Sequence, residues 1–171
     1  MRVEGTIRVE EPTDVRAIAD VLADAFDGVA EMTLVERLRT EHREEYGPSL
    51  VAEIDGVVVG HALLTSVTVV AADDEARALF ALAPVAVLRT CQRLGIGSNL
   101  VNAALVLADR PVVVLGDREW YTRFGFEPAT RWGIGSRWAE AGDAWQVWFP
   151  EGSDPAEWAG EVRYPAPFER L

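Results

Sequence analysis

Residues 82–107, LAPVAVLRTCQRLGIGSNLVNAALVL, constrain this chain more than any other stretch. Ala83 to Leu88 is a short apolar run with two valines and reads as a buried strand. Arg89-Thr90-Cys91 breaks that run, and Gln92-Arg93-Leu94-Gly95-Ile96-Gly97 follows. Leu100, Val101, Ala104, Leu105 and Ala108 then recur at spacings of three and four, which gathers them on one face of a helix. Strand, glycine loop and helix in this order make a ligand-binding corner. Glycines at the mouth of a helix let backbone approach a ligand with no Cβ in the way. The first helical amides are unpaired and lie at the partly positive end, so a phosphate or pyrophosphate suits the position.

Two common phosphate loops are excluded. A P-loop needs a lysine for the β- and γ-phosphates, and all 16 of the chain's Lys and Arg residues are arginine. No G-x-G-x-x-G follows the strand directly, so the dinucleotide fingerprint is missing as well. What remains is Q-x-x-G-x-G at Gln92, Gly95 and Gly97. Taken alone it fits a tight turn as well as a binding loop.

A second motif lies downstream in VVVLGDREWYTRFGF, residues 112–126. Val112 to Leu115 reads as a strand, opened by Pro111 and closed by Gly116. Asp117 is placed to cap a short helix over 118–124, Gly125 to end it, and Phe126 to begin the next strand. Together the two motifs resemble the GNAT superfamily of acyl-CoA-dependent N-acetyltransferases. Its cofactor loop, [QR]-x-x-G-x-[GA], lies between the fourth strand and the third helix. The family's Y-x-x-x-G-F follows the fifth strand, and here Tyr121, Gly125 and Phe126 match it. The tail from Gly160 to Phe168, G-x-V-x-Y-P-x-x-F, is similar to the ending of an uncharacterised bacterial subgroup of predicted acetyltransferases.

The 171 residues are enough for one domain with a proper core, so residues 1–171 are expected to form a single GNAT-like domain. A net charge of −12 argues against nucleic acid and against an anionic membrane surface as partners. It suits a cationic amine, and it also serves solubility. A single cysteine allows no internal disulfide, which fits a reducing, cytoplasmic setting. One Cys and two His, His42 and His61, give no basis for a metal site. The first fourteen residues, MRVEGTIRVEEPTD, have no apolar core and do not read as a signal peptide.

Elsewhere, residues 6–10 alternate as a strand. A helix starts near Val15, capped by Thr13 or Asp14, with Val15, Ile18, Ala19, Leu22, Ala25 and Phe26 on one face. A second helix covers about 31–44. Gly47-Pro48 reads as a turn, residues 49–54 and 57–70 as strands, and Asp55-Gly56 between them as a hairpin turn. The fourth strand begins near Ala78, and 144–149 reads as the seventh. The fold class expected is α/β: a mixed, mostly antiparallel sheet of about seven strands, with a parallel splayed pair (strands four and five) and about four helices. Trp132, Trp138, Trp145 and Trp148 read as core or interface, with a substrate cage as the other reading.

The resemblance implies acetyl transfer from acetyl-CoA, used as co-substrate, to a small-molecule or peptide amine, with no metal. Its pyrophosphate falls to the amides from Arg93 to Ser98, through Leu94, Gly95, Ile96 and Gly97, with Gln92 at the head of the loop. Strand-four backbone from Val85 to Val87 would face the pantetheine arm, with Val87 or Leu88 offering an amide to the thioester carbonyl. Tyr121 matches the family's general acid, protonated at neutral pH, as its ordinary pKa near ~10 allows. Arg89 and Arg93 could add charge near the phosphates.

Three departures from the family stand out. Arg89 takes the place of a proline after strand four, and Leu94 that of a basic residue before the first glycine. Strand four, residues 80–88, holds no Glu, Asp or His to act as base. The candidates for that role are Glu53, His61, Asp27 and Glu31. Cys91 has no His or Asp partner near it in sequence and is not needed for direct transfer. Two functions remain: an N-acetyltransferase, or a non-catalytic acyl-CoA-binding regulatory module. A homodimer through the aromatic C-terminal region is compatible with either.

Overall fold

A computed structural model describes residues 5–171. The leader reading above rests partly on residues 1–4, which lie outside the described residues. Nine strands form one sheet: β1 (Thr6–Val9), β2 (Tyr46–Ile54), β3 (Val57–Val70), β4 (Ala76–Val87), β5 (Val112–Leu115), β6 (Glu127–Pro128), β7 (Ile134–Ser136), β8 (Trp145–Trp148) and β9 (Gly160–Arg163). The helices are α1 (Val15–Ala25), α2 (Ala30–Glu41), α3 (Ile96–Leu107) and α4 (Arg118–Thr122). The main path runs β1-β2-β3-β4-β5-β8-β6, and every pair on it is antiparallel except β4 with β5.

The hairpin between β2 and β3 forms as its sequence predicts, with Asp55 at φ 50° and Gly56 at φ 79°. Gly47-Pro48 is not a turn. Both residues belong to β2, at an irregularity where the register with β3 shifts between Tyr46 and Ser49. A bulge leaves residues out of the ladder, so a proline without an amide is tolerated there. The helix expected to reach residue 44 ends at Glu41, and the one expected to reach 124 ends at Thr122. The strand expected from Phe126 is the two-residue β6, beginning at Glu127.

Two further strands exceed the seven expected. β2 pairs with β3 only as far as Tyr46 opposite Thr65, and β9 takes up the edge beyond it, Val162 opposite Val69. β7 then adds in parallel to β9. Both depend on the part of β3 that β2 leaves unpaired, which no local pattern in the sequence reports.

Helices cover both faces. α3 presents Leu100, Val101, Ala104 and Leu105 to a core with Ala62, Leu64, Leu82 and Val112. The helical spacing in the sequence named this face correctly. α1 and α2 cover the other face, where Ile18, Leu22, Leu34 and Leu38 pack on Val51, Leu63 and Ala86.

Candidate functional site

β4 and β5 pair for two residues only, Phe80 with Val112 and Ala81 with Val113. Beyond these, β5 stays with β8 while β4 stays with β3, and the sheet opens. An irregularity at Ala83-Pro84 helps turn β4 away: Val85 faces Ala62 and Leu82 faces Leu64, so two residues of β4 oppose one of β3. Past it, the Leu88 amide donates to the Val59 carbonyl at 2.9 Å. Antiparallel alternation then turns the amides of Val85 and Val87 toward the gap. The Leu88 amide is thus committed to the sheet. Of the two donors expected for a thioester carbonyl, Val87 is the one whose amide faces the opening.

The glycine loop follows. Arg93 at φ 63° and Gly95 at φ 86° both sit in the left-handed region, and a Cβ on Gly95 would meet nothing within 4 Å. The first amide of α3 to reach back into the loop is that of Asn99, on the Gly95 carbonyl at 3.0 Å. The amides from Arg93 to Ser98 have no acceptor among the described residues. The Gln92 side chain donates Nε2–H to the Val87 carbonyl at 3.1 Å, tying the loop to the end of β4. Its side-chain amide therefore shapes the loop.

These residues line a cleft of about 500 Å³ with Val85, Val87, Arg93, Gly97, Ser98 and Tyr121. Trp120 and Arg123 line it too, and the sequence motifs did not single them out. Arg123 Nη2 donates to Ser98 Oγ at 3.4 Å, and its guanidinium lies 5.6 Å from the Trp120 ring. The usable signal was their position inside the Y-x-x-x-G-F segment and its flank. Arg89 does not join them: its amide donates to Asp24 and its guanidinium to Asp27, both at 2.7 Å. Unpaired amides, two arginines and an open strand edge suit an anionic group on an extended arm.

A second cavity of about 430 Å³ lies in the opening itself, between β4, β5, α2 and the C-terminal segment. Tyr121 borders both cavities. It sits in α4, whose first turn is fixed by the Trp120 amide on Asp117 Oδ1 at 2.8 Å, the cap the sequence predicts. Its ring packs edge-on against Phe126 at 5.4 Å. Only 9% of it is exposed, and burial pushes its pKa up to about 12. The phenol is therefore protonated at neutral pH.

The four base candidates separate cleanly. Glu31 lines the second cavity. Asp27 points outward, 96% exposed, and pairs with Arg89. Glu53 pairs with Arg8 at 2.9 Å beside β1. His61 lines neither cavity: it lies opposite Val51 and Ala86, under α1 and α2, and is fully buried. Its Nδ1 lies 3.1 Å from the Leu50 carbonyl, Nε2 has no partner among the described residues, and burial lowers its pKa to about 4.

The tryptophans also divide. Trp145 is fully buried and donates to the Ile134 carbonyl, Trp132 donates to Glu127, and Trp148, half-buried, packs against the core that α3 covers. Trp138 alone of the four lines the second cavity.

Residues 15–126 match the family model described as the acetyltransferase (GNAT) family. The uncharacterized N-acetyltransferase YhbS of Escherichia coli strain K12 is 35% identical over 146 residues, 82% of this chain and 84% of the relative. The uncharacterized N-acetyltransferase YjhQ of the same strain is 32% identical over 127 residues, 72% of this chain and 70% of the relative. Among solved structures, the chain resembles E. coli YhbS in complex with CoA, with a TM-score of 0.87 and 31% identity over 99% of this chain and 94% of the other. It also resembles a GNAT family acetyltransferase of Brucella melitensis in complex with acetyl-CoA, with a TM-score of 0.76 and 30% identity over 97% and 99%.

Proposed function

The chain belongs to the acetyltransferase (GNAT) family, and on that premise we propose that residues 1–171 form one domain that acetylates a primary amine by direct attack on acetyl-CoA. One observation carries the residue assignment: Tyr121, protonated and nearly buried, borders both the glycine-loop cleft and the cavity in the split sheet. Acetyl-CoA supplies an activated acyl group: the carbon–nitrogen bond forms, the carbon–sulfur bond breaks, and the thiolate leaves with the electron pair.

The chain's own residues have four tasks. The amides of Arg93, Leu94, Gly95, Ile96, Gly97 and Ser98 bind the pyrophosphate, with Gln92 holding the loop in shape. The backbone of Val85 and Val87 aligns the arm along the open edge of β4, and the Val87 amide polarises the reacting carbonyl. Tyr121 donates its phenolic proton toward the departing sulfur. A primary amine is mostly protonated at neutral pH, and freeing it costs about 4 kcal/mol. Glu31, bordering the acceptor cavity, supports a role in receiving that proton.

The same reading takes the acceptor to be a small-molecule or peptide amine and the setting to be the cytoplasm. It allows a homodimer, which sedimentation equilibrium would test. Among the described residues no helix is long and apolar enough to cross a membrane.

The test is thiol release from acetyl-CoA with an amine panel, comparing wild type with Tyr121→Phe. General-acid loss should lower kcat about 10²- to 10⁴-fold. CoA affinity should be unchanged. A Tyr121→Phe enzyme with full kcat would remove Tyr121 from the chemistry, and a wild type that binds CoA yet acetylates no amine would favour the binding-module reading.

A further inference from the structure

The cavity in the split sheet has a chemistry unlike that of the glycine-loop cleft. Its walls are Phe26, Leu34, Pro84, Trp138, Tyr164 and Phe168, with apolar strand residues on its floor. Glu31 is the one charged side chain among the described residues lining it. Trp138 meets Tyr164 edge-on at 4.4 Å, and Tyr164 lies 4.9 Å from Phe168. The wall is anchored: Phe168 is 1% exposed, and β9, just before Tyr164, is paired to the end of β3. Arg137 lies 4.5 Å from the Trp138 ring and shields it. The Tyr164 hydroxyl has no hydrogen-bond partner among the described residues. The C-terminal G-x-V-x-Y-P-x-x-F segment thus has a physical task, which is to build one side of this cavity.

We infer that the acceptor is a primary amine carried on a compact aromatic or branched apolar body, its ammonium paired with Glu31 and its body against Trp138, Tyr164 and Phe168. This rests on the acetyl-transfer reading and adds the substrate class. A polyamine or an aminoglycoside would bring several charges and hydroxyls into a cavity whose lining has a single charged side chain, and each polar group left unpaired is penalised. An apolar body with one cationic end leaves nothing unpaired, and it removes aromatic surface from water. The chain's net charge of −12 draws cations of any shape, so the walls make the selection.

The experiment uses the full chain with saturating acetyl-CoA and compares 2-phenylethylamine, tryptamine and 3-methylbutylamine with spermidine and kanamycin. The apolar amines should lead in kcat/KM by about tenfold or more. Saturation-transfer NMR on the CoA complex should show aryl protons of 2-phenylethylamine in contact with protein, and Trp138→Leu should weaken that signal. Glu31→Gln should raise the amine KM about tenfold, a change expected for loss of one charge-assisted pair, with acetyl-CoA affinity unmoved.

Preference for spermidine or kanamycin, or no turnover and no contact from the apolar amines while acetyl-CoA binds, would overturn the substrate class and leave the acetyl-CoA site standing. An unchanged KM in Glu31→Gln would overturn the role of Glu31. Failure of the wild type to bind acetyl-CoA would overturn both readings together.

Discussion

Gly116 tests whether Tyr121 works where it stands. A Cβ built on Gly116 would overlap the Tyr121 ring edge at Cε2 and would lie 3.0 Å from Cδ2 and 3.5 Å from Cζ. Carbon atoms settle at about 3.5–4.0 Å, so Gly116→Ala must drive the ring back by roughly 1 Å. The ring cannot give way freely, because Phe126 stands edge-on at 5.4 Å and Trp120 at 4.7 Å. Overpacking of this kind costs about 1–3 kcal/mol, which for a chain of this length lowers Tm by roughly 2–10 °C. A 1 Å error in a proton donor costs about 10²-fold in rate.

The assay is kcat at saturating acetyl-CoA, with CoA affinity and thermal melting measured alongside. Gly116→Ala should lose about 10²-fold in kcat and some Tm. It should keep most of its CoA affinity, since the loop amides from Arg93 to Ser98 are untouched and only Tyr121, which borders the same cleft, is displaced. The double variant with Tyr121→Phe separates the two effects. A phenylalanine ring suffers the same overlap, so the Tm loss should persist, while the rate should fall no further than in Tyr121→Phe alone. Full kcat in Gly116→Ala, or additive rate losses in the double variant, would refute the reasoning.

Two further outcomes follow from buried groups. His61 has its pKa lowered to about 4, so the folded protein holds it neutral while the unfolded chain takes up a proton below about pH 6.5. Its contribution is therefore full above the unfolded pKa and is lost as pH falls toward the folded one, a loss of about 3 kcal/mol. Urea midpoints measured between pH 7 and 4 should fall along this limb, and His61→Leu should flatten it. Asp117→Ala removes the cap on the Trp120 amide and should cost about 1 kcal/mol, read from the urea midpoint, with a matching loss of kcat as α4 loosens.

Much of this fold was legible because its signals are local. The α3 face, the Asp55-Gly56 hairpin and the Asp117 cap are all decided by residues within a few positions of one another. The long strands β2 and β3 are apolar runs on either side of Asp55-Gly56, long enough to be recognised. Gly47-Pro48 misled because a turn-forming pair and a bulge share the same backbone chemistry, and only the partner strand distinguishes them. β7 and β9 escaped because their pairing depends on an edge of β3 that β2 leaves open.

The site was legible to a similar depth. Motif spacing identified the loop and Tyr121, which do border one cleft. It could not choose among Glu53, His61, Asp27 and Glu31. Three-dimensional placement does distinguish them: Glu31 lines the cavity in the split sheet, whereas His61 is buried under α1 and α2, away from the opening. Arg89 was diverted for a similar reason: Asp24 and Asp27 at the end of α1 reach it first. Trp120 and Arg123 were not singled out because they are not motif positions; their place beside and within Y-x-x-x-G-F puts them on the same cleft as Tyr121.

The central claim is that the loop from Gln92 to Ser98 holds acetyl-CoA, and calorimetric titration of wild type, Gly95→Asn and Gly95→Asp tests it most directly. Gly95 has φ 86° with open space where a Cβ would go, and Asn and Asp tolerate that conformation equally. The pair therefore differs only in charge at the mouth of α3. The account predicts micromolar binding by wild type, moderate weakening in Gly95→Asn, and further loss in Gly95→Asp that shrinks with added salt. Equal affinities for Asn and Asp, or no binding by the wild type, would contradict it.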